Sequence, residues 1–322
     1  MKKTNLTVGI DVGGTNTSFG FVSDDGKIVF EKSIPTFAEQ SAEQLFSRLF
    51  KEVDSSYKKL ANKYNLAGIG IGAPNANYYK GTVELPPNLN WGTVNVIKLI
   101  KKYSLLPAVI TNDANAAAIG EMLFGAAKGM KNFIVITLGT GLGSGIVVNG
   151  ELVYGHDGFA GEIGHTIVNP NGRDCGCGRR GCLETYASAT GICRTVFELI
   201  CNTNLESILR KKNYQDLTAR QISDAAKKGD KLALEAFDYT AKVLGLKLAD
   251  SVAHLSPQAI ILFGGLALAG ELIIKPTKTY MENYLLNIFK GKVKILPSKL
   301  PGNYAAILGA GALIWNELKK VK

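Results

Sequence analysis

Apolar and polar residues alternate along the chain in blocks that predict strands and helices in turn. Residues 7–22 form two β-rich runs around a glycine-containing turn, which is the pattern of a hairpin. Residues 41–64 carry apolar side chains at helical spacing, and residues 66–72 then predict a buried strand. Strands that alternate with helices indicate an α/β fold.

The same alternation continues downstream. Residues 111–124 predict an alanine-rich helix that begins at an Asn/Asp cap and ends at Gly125. Beyond it we predict a long helix over 231–255, a strand over 259–263 and a terminal helix over about 304–319.

The strand–turn–strand unit of residues 7–22 recurs at residues 133–148. Gly139 occupies the place in the second unit that Gly13 has in the first. A supersecondary unit that recurs at domain-sized spacing indicates two related α/β halves rather than a solenoid.

The 322 residues are enough for two domains that each bury a core. We predict a small α/β domain that consists of residues 1–110 and the C-terminal helix 304–322. This domain contains the first strand–turn–strand unit. Residues 111–303 then form a large α/β domain, which contains the second strand–turn–strand unit, Asp113 and the crowded cysteines of residues 175–182.

Composition and charge narrow the class of protein. The net charge is +10, from 37 basic and 27 acidic residues, but the basic residues lie in scattered pairs without aromatic interleaving, so we expect no nucleic-acid partner. No apolar run approaches the roughly 18 residues of a membrane helix, and the N-terminus lacks a signal-like apolar core. Three of the five cysteines are crowded together, which indicates a metal site in a reducing compartment. We therefore expect a cytoplasmic protein without a membrane partner.

Asp11 ends the first predicted strand and precedes what we term the first glycine turn. That turn consists of Gly13, Gly14, Thr15 and Asn16. Bare N–H groups and a hydroxyl can approach phosphate oxygens there, while the carboxylate holds Mg²⁺ through water. A tight turn without a ligand is the alternative. The second glycine turn, residues 139–143, favours a polyphosphate, because two such turns can face each other across a cleft.

Asp113 lies at the predicted start of a helix, where the helix dipole favours an ionised carboxylate. It could be a simple helix cap. The alternative is a general base that removes a proton from a sugar hydroxyl as the hydroxyl attacks a phosphoryl group, with the Asn112 amide orienting another hydroxyl.

The strongest local pattern is one imidazole and three thiols, spaced His-x9-Cys-x-Cys-x4-Cys. The four residues are His165, Cys175, Cys177 and Cys182. Such a set closes a tetrahedral Zn²⁺ site, and the glycines between the cysteines let a short loop wrap the ion. Reduced thiols beside a core histidine would explain neither the crowding nor the glycines. Cys193 and Cys201 fall on an apolar helical stretch and are predicted to be buried.

Glu162 and Glu184 bracket this zinc loop (residues 165–182). They are either solvated carboxylates or fixed acceptors for the hydroxyls of a polyol. In the second case the zinc is structural and presents the sugar-binding acids. Because both glycine turns lie far from the loop in sequence, we expect zinc removal to weaken sugar binding much more than nucleotide binding.

Five motifs taken together resemble the ROK family, which comprises repressors, open reading frames and kinases. They are IDVGGT at 10–15, NDANA at 112–116, LGTGLGSG at 138–145, GEIGH at 161–165 and CGCGRRGCLE at 175–184. The match covers nearly the whole chain in order. It implies a duplicated actin-like ATPase (ribonuclease H-like) fold, with two α/β domains, an interdomain cleft and a homodimeric state.

The resemblance also implies an ATP-dependent hexose kinase with Mg²⁺ and structural Zn²⁺, and it assigns roles to residues. Phosphate binding falls to Asp11, Gly13, Gly14, Thr15, Asn16, Thr140 and Gly141, and the adenosine side to Gly264 and Gly265. Sugar contacts fall to Asn88, Asn112, Asp113, Glu162, His165 and Glu184, with Asp113 as the catalytic base. His165 would serve zinc and sugar through different ring nitrogens.

One part departs from the family pattern. The usual Gly-Pro-Gly-like turn and Asn-Leu-x-x-Trp segment read GAPN at 72–75 and NLNW at 88–91, with one residue fewer before the tryptophan. This leaves the identity of the hexose undecided between glucose, which we expect, and an N-acetylhexosamine, mannose or fructose.

A sugar sensor without catalysis is the alternative from another class of protein. The complete set of Asp11, Asp113 and both glycine turns favours the enzyme, and a first strand at residue 7 leaves no room for a repressor's DNA-binding segment.

Overall fold

The computed structural model describes residues 3–302 and 304–320, which divide into two compact units. Unit 1 runs to Gly129 and includes Leu152–Ala160 and the chain from Lys299 onward, and unit 2 consists of Met130–Glu151 and Gly161–Ser298. This division differs from the predicted boundary at residue 110, since the helix that begins at Asp113 lies in unit 1. The reason is that this helix packs on the C-terminal helix of the same unit.

The elements follow the predicted alternation. The strands are β1 (Thr4–Val12), β2 (Asn16–Ser23), β3 (Ile28–Pro35), β4 (Tyr64–Gly72), β5 (Ala76–Asn77), β6 (Thr82–Glu84), β7 (Thr93–Asn95), β8 (Ala108–Thr111), β9 (Phe133–Leu138), β10 (Leu142–Val148), β11 (Glu151–Leu152), β12 (Ala259–Phe263) and β13 (Lys294–Pro297). The helices are α1 (Ala42–Lys58), α2 (Val96–Ile100), α3 (Asp113–Phe124), α4 (Ala189–Asn202), α5 (Ala219–Lys227), α6 (Lys231–Leu255), α7 (Glu271–Tyr284) and α8 (Ala305–Lys320). The predicted helix over 41–64 is shorter than expected, because a turn after Lys58 leads the chain directly into β4.

The two units repeat one sheet. In unit 1 the order is β3-β2-β1-β4-β8, and in unit 2 it is β11-β10-β9-β12-β13. In both, a central strand pairs antiparallel with the strand that follows it and parallel with a later one. The prediction of two related α/β halves is therefore confirmed.

The C-terminal helix α8 packs very closely against the sheet of unit 1. A Cβ atom at Gly70 of β4 would overlap the carbonyl oxygen of Ala310. Thr7 Oγ1 of β1 donates to the carbonyl of Gly311 at 3.3 Å, and Trp315 Nε1 donates to the carbonyl of Val22 at 3.1 Å. Helix α8 thus completes the core of unit 1 by covering the sheet that contains β1 and β4.

Unit 2 packs its helices mainly around the 25-residue α6, which contacts α4, α5 and α7. Cys193 of α4 is buried, as predicted. The prediction for Cys201 is wrong, because this residue lies next to the C-terminal end of α4 and is exposed. Within the described part of the chain, no helix combines the length and apolar character needed to cross a membrane.

Candidate functional site

The first glycine turn joins β1 to β2 in unit 1. The Gly13 amide donates to the carbonyl of Asn16 at 3.0 Å, which closes the turn. Thr36, just after β3, supports it from behind, since its Oγ1 donates to the carbonyl of Gly13 at 2.7 Å and its amide donates to the carbonyl of Thr15 at 2.9 Å. Thr15 and Asn16 remain exposed, so their polar groups are available to a ligand.

Asn88 lies directly against the first glycine turn. A Cβ atom at Gly14 would lie 2.9 Å from Asn88 Cβ and 3.1 Å from its carbonyl oxygen. Gly14 is therefore needed for the close approach of Asn88. A residue predicted to contact sugar and a turn predicted to bind phosphate are neighbours within one unit.

Asp113 is the first residue of α3, but it is not the cap. Asn112 caps the helix, because its Oδ1 accepts from the Asn115 amide at 2.7 Å. Asp113 Oδ1 accepts a local bond from the Ala114 amide at 2.8 Å, and the residue keeps a solvent-accessible surface. With the capping role taken by Asn112, the carboxyl of Asp113 is free for chemistry, which removes the simpler alternative.

Asp11 and Asp113 converge on Gly72, at the end of β4. A Cβ atom there would lie 3.9 Å from Asp11 Oδ1 and 3.8 Å from Asp113 Cα. Burial, and secondly the negative charge of Asp113, raise the pKa of Asp11 to about 7. Desolvation of the carboxyl by the surrounding protein also raises the pKa of Asp113, although the residue keeps a solvent-accessible surface and two backbone hydrogen bonds oppose the shift. Two carboxyls with raised pKa values make this edge of the sheet a candidate functional site.

The second glycine turn repeats the first between β9 and β10 of unit 2. The Gly139 amide donates to the carbonyl of Gly141 at 3.0 Å. Its outer side is open, since Thr140 is exposed and a Cβ atom at Gly139 would meet no atom within 4 Å. The backbone of Gly139 is thus accessible to a phosphate group.

Gly264 and Gly265 lie at the same end of this sheet. Gly264 has φ of +100°, and a Cβ atom there would lie 2.8 Å from the carbonyl oxygen of Leu138, so the tight turn after β12 requires glycine. Beside Gly265 is a cavity of about 540 Å³. It is lined by Leu266 and Leu268 and by the polar side chains Arg220, Ser223, Asp224 and Lys227 around α5. Its size and mixed walls suit a nucleoside.

The four predicted zinc ligands converge. The ligand atoms of His165, Cys175, Cys177 and Cys182 all lie within 4.8 Å of one another. His165 Nδ1 is 3.7 Å from Cys175 Sγ, and the sulfurs of Cys177 and Cys182 are 3.6 Å apart. A tetrahedral Zn²⁺ with Zn–S bonds of about 2.3 Å places its sulfurs about 3.8 Å apart. The donor set and the spacing therefore both fit zinc.

The thiols differ in acidity. Burial raises the pKa of Cys177, but hydrogen bonds from the backbone and guanidinium of Arg179 outweigh it and lower the pKa to about 6. Burial also raises the pKa of Cys175 and of Cys182, and for these two the net shift is upward. Three adjacent thiolates need a compensating cation, which a zinc ion supplies.

Sequence reasoning missed Arg173, which anchors the zinc loop. Its guanidinium pairs with Glu198 of α4 at 2.5 Å, donates to the carbonyl of Thr185 at 2.6 Å and lies 4.4 Å from the ring centre of Tyr186. A single arginine within a glycine-rich loop gives no signal in a sequence, because its partners come from a later helix. The loop is thus fixed to unit 2 by an ion pair as well as by the cluster.

The two acids take different positions around the zinc cluster. Glu162 Oε2 lies 4.0 Å from His165 Nε2, on the far side of the ring from Cys175. Glu184 Oε1 lies 3.8 Å from His165 Nδ1 and 3.2 Å from Cys175 Sγ. His165 therefore presents one nitrogen to the cluster and leaves the other beside Glu162. Its shared role toward zinc and sugar stays a prediction.

The predicted site residues fall into two groups, one in each unit. Unit 1 contains Asp11, Gly13, Gly14, Thr15, Asn16, Asn88, Asn112 and Asp113. Unit 2 contains Thr140, Gly141, Glu162, His165, Cys175, Cys177, Cys182, Glu184, Gly264 and Gly265. Besides Arg173, the sequence analysis overlooked Thr36 behind the first turn and the α5 residues of the cavity, none of which belongs to a recognisable motif.

The duplicated sheets and paired glycine turns define a protein of the two-domain actin-like ATPase fold. The ROK family model matches residues 7–317, and the chain belongs to this family. It is 37% identical to a glucokinase of Halalkalibacterium halodurans, over 95% of this chain and 94% of that one. It is 30% identical to a xylose repressor of Caldicellulosiruptor bescii, covering 98% of this chain and 80% of the repressor.

A solved structure supports the same assignment. The ROK family glucokinase of Streptomyces griseus, in complex with glucose and AMPPNP, superposes with a TM-score of 0.80 at 33% identity. The match covers 96% of this chain and 98% of that one.

Proposed function

We propose that the protein phosphorylates glucose at its primary hydroxyl with ATP as the donor. The observation that carries the proposal is the state of Asp113: Asn112 caps the helix, which leaves an exposed carboxyl with a raised pKa beside Asp11 and the first glycine turn. Glucokinase relatives of nearly the same length and the glucose and AMPPNP complex of the Streptomyces griseus relative support it.

In this proposal Asp113 accepts the proton of the sugar's primary hydroxyl. The hydroxyl oxygen forms a bond to the γ-phosphorus, the bond from that phosphorus to the β–γ bridging oxygen breaks, and ADP leaves. Mg²⁺, held through water by Asp11, would neutralise charge on the phosphates. Most of the rate then comes from positioning and electrostatics.

The remaining assignments follow the two units. In unit 1, Asn88 and Asn112 contact the sugar and the first glycine turn contacts phosphate; the Asn112 amide NH₂ is the group left over from capping. In unit 2, Glu162, His165 and Glu184 bind sugar hydroxyls, while Thr140 and Gly141 bind phosphate. Gly264 and Gly265 border the adenosine, which occupies the cavity beside α5.

We also propose a cytoplasmic homodimer without a nucleic-acid or membrane partner. The five free cysteines, three of which are crowded at the cluster, support a reducing compartment. Light scattering should give twice the chain mass of 34.5 kDa.

A coupled assay of ADP release over glucose, mannose, fructose and N-acetylhexosamines tests the function. We expect kcat/KM to be highest with glucose. A higher value with another sugar would move the assignment to that sugar while keeping the chemistry. Sugar binding without turnover on any of them would favour a sensor, the role suggested by the xylose repressor relative.

A further inference from the structure

We propose that residues 182–190 are a zinc-anchored clamp that holds the second glycine turn in shape, so that zinc controls nucleotide binding as well as sugar binding. The nucleotide part of this inference rests on the proposed function; the structural part does not.

The clamp bonds to the turn at three successive places. Glu184 Oε2 accepts from the Leu142 amide at 3.2 Å. The Ala189 amide donates to the carbonyl of Gly139 at 2.8 Å, and Thr190 Oγ1 donates to the carbonyl of Thr140 at 2.8 Å. One short segment thus fixes both ends and the tip of the turn.

The other side of the clamp is fixed by the zinc cluster. The segment begins at Cys182, a buried member of the cluster, and the Leu183 amide donates to the carbonyl of Thr166, next to His165, at 2.9 Å. The second oxygen of Glu184 faces Cys175 and His165. Loss of the ion would free the segment at its start, and with it the three bonds to the turn.

Gly141 gives independent support. A Cβ atom there would overlap Glu184 Oε2, whereas a Cβ atom at Gly139 would meet no atom within 4 Å. Gly141 is therefore required for the approach of the clamp, and Gly139 is the position open to a phosphate. Neither glycine has a positive φ, so alanine is tolerated by the backbone at both.

The first glycine turn is supported differently. Among the described residues, the hydrogen bonds that hold it from behind come from Thr36, just after β3 of the same unit. The two glycine turns can therefore be compared within one protein. Both have the same local fold, but only the second is bonded to the clamp that begins at the zinc cluster. From distance in sequence, we expected zinc removal to have little effect on nucleotide binding. The proposed clamp predicts instead that zinc removal also weakens nucleotide binding at the second glycine turn.

Hydrogen exchange on the zinc-loaded and zinc-stripped full-length protein tests the clamp without any ligand. On zinc removal, we expect exchange of the segment holding Leu142 to rise at least about 10-fold, since two or more hydrogen bonds are lost. The segment holding the first glycine turn and the core strand β9 should not change. Unchanged exchange at Leu142 in protein shown to lack zinc, or an equal rise at both turns, would overturn the proposal.

Three variants that keep all four zinc ligands cover the case in which the zinc-stripped protein unfolds. Thr190→Val removes one clamp bond, so we expect the Kd for AMPPNP to rise about 3- to 10-fold with the Kd for glucose unchanged. Gly141→Ala should displace Glu184 and weaken glucose binding, while Gly139→Ala should weaken only AMPPNP binding. Equal glucose affinity in the two glycine variants, or wild-type AMPPNP affinity in Thr190→Val, would contradict the clamp. If the wild-type, zinc-loaded protein does not bind AMPPNP, the proposed function is wrong. The hydrogen-exchange experiment still tests the clamp in that case, because it uses no ligand.

Discussion

Asp11 Oδ1 and the Cα atom of Asp113 both approach Gly72 at the end of β4, at 3.9 and 3.8 Å from the position of a Cβ atom there, and the negative charge of Asp113 adds to burial in raising the pKa of Asp11. The two acids come from different elements, a strand end and a helix start, and are 102 residues apart in the chain. Their proximity makes the protonation of one depend on the other.

Asp11→Asn should change how stability depends on pH. The pKa of Asp11 is about 7 in the folded protein and near 3.8 when unfolded, so the folded state binds the proton more tightly. Stability is therefore lost as the pH rises between these values, and the loss is complete above about 7. Without magnesium, we expect the variant to gain about 1–3 kcal/mol over wild type between pH 5.5 and 8. Melting temperatures across this range measure it. A difference between Asp11→Asn and wild type that stays constant across this pH range would refute the prediction.

Asp113→Asn should leave folding and glucose binding largely intact while lowering kcat. The amide oxygen can still accept from the Ala114 amide, and Asn112 keeps the cap, so α3 is preserved. Loss of a general base commonly costs about 10²–10⁴ in rate. Steady-state kinetics with calorimetric glucose titration measure both quantities. A kcat within a few-fold of wild type would remove Asp113 from the role.

Cys177→Ser should release the zinc and lower the melting temperature, because a serine hydroxyl is a poor replacement for a thiolate whose pKa is already low. Metal analysis should fall from one zinc per chain to well below one. Cys201→Ser is the matched control, since this cysteine is exposed and outside the cluster. Full zinc occupancy and unchanged melting in Cys177→Ser would mean that Cys177 is not a ligand.

Gly70→Ala should strongly destabilise unit 1, because the added methyl group overlaps the backbone of α8 rather than a side chain that can turn away. Overpacking of this kind costs about 1–3 kcal/mol or more. Urea unfolding measures it against Gly302→Ala, where a Cβ atom meets nothing within 4 Å. Equal midpoints for the two variants would show that α8 can move aside.

Features that depend on residues close together in the sequence could be predicted. The zinc cluster could be predicted because four ligands with fixed spacing and intervening glycines leave few other arrangements, and the repeat of β1–β2 in β9–β10 is visible as a repeated motif. Contacts between distant segments could not be predicted. Nothing in the sequence links Glu184 to the Leu142 amide or Arg173 to Glu198, because such pairs depend on how a loop packs against another element.

The same limit explains the boundary predicted at residue 110. A strand that leads into an Asn/Asp-capped helix is also the pattern expected at the start of a second domain. The packing of α3 on α8, which the sequence does not reveal, assigns that helix to unit 1. The predicted burial of Cys201 failed for a related reason. Apolar spacing continues to the last turn of α4, but the end of that helix reaches solvent.

The position of α8 also determines the order in which the chain can fold during its synthesis. The five strands of the sheet that contains β1 are translated by Thr111, whereas the helix that covers this sheet, Ala305–Lys320, follows only after the segments of unit 2. The segments of unit 2 up to Ser298 are therefore available for folding before this helix is made. One apolar face of unit 1 is thus uncovered while unit 2 is translated, so the core of unit 1 is completed after that of unit 2 can form.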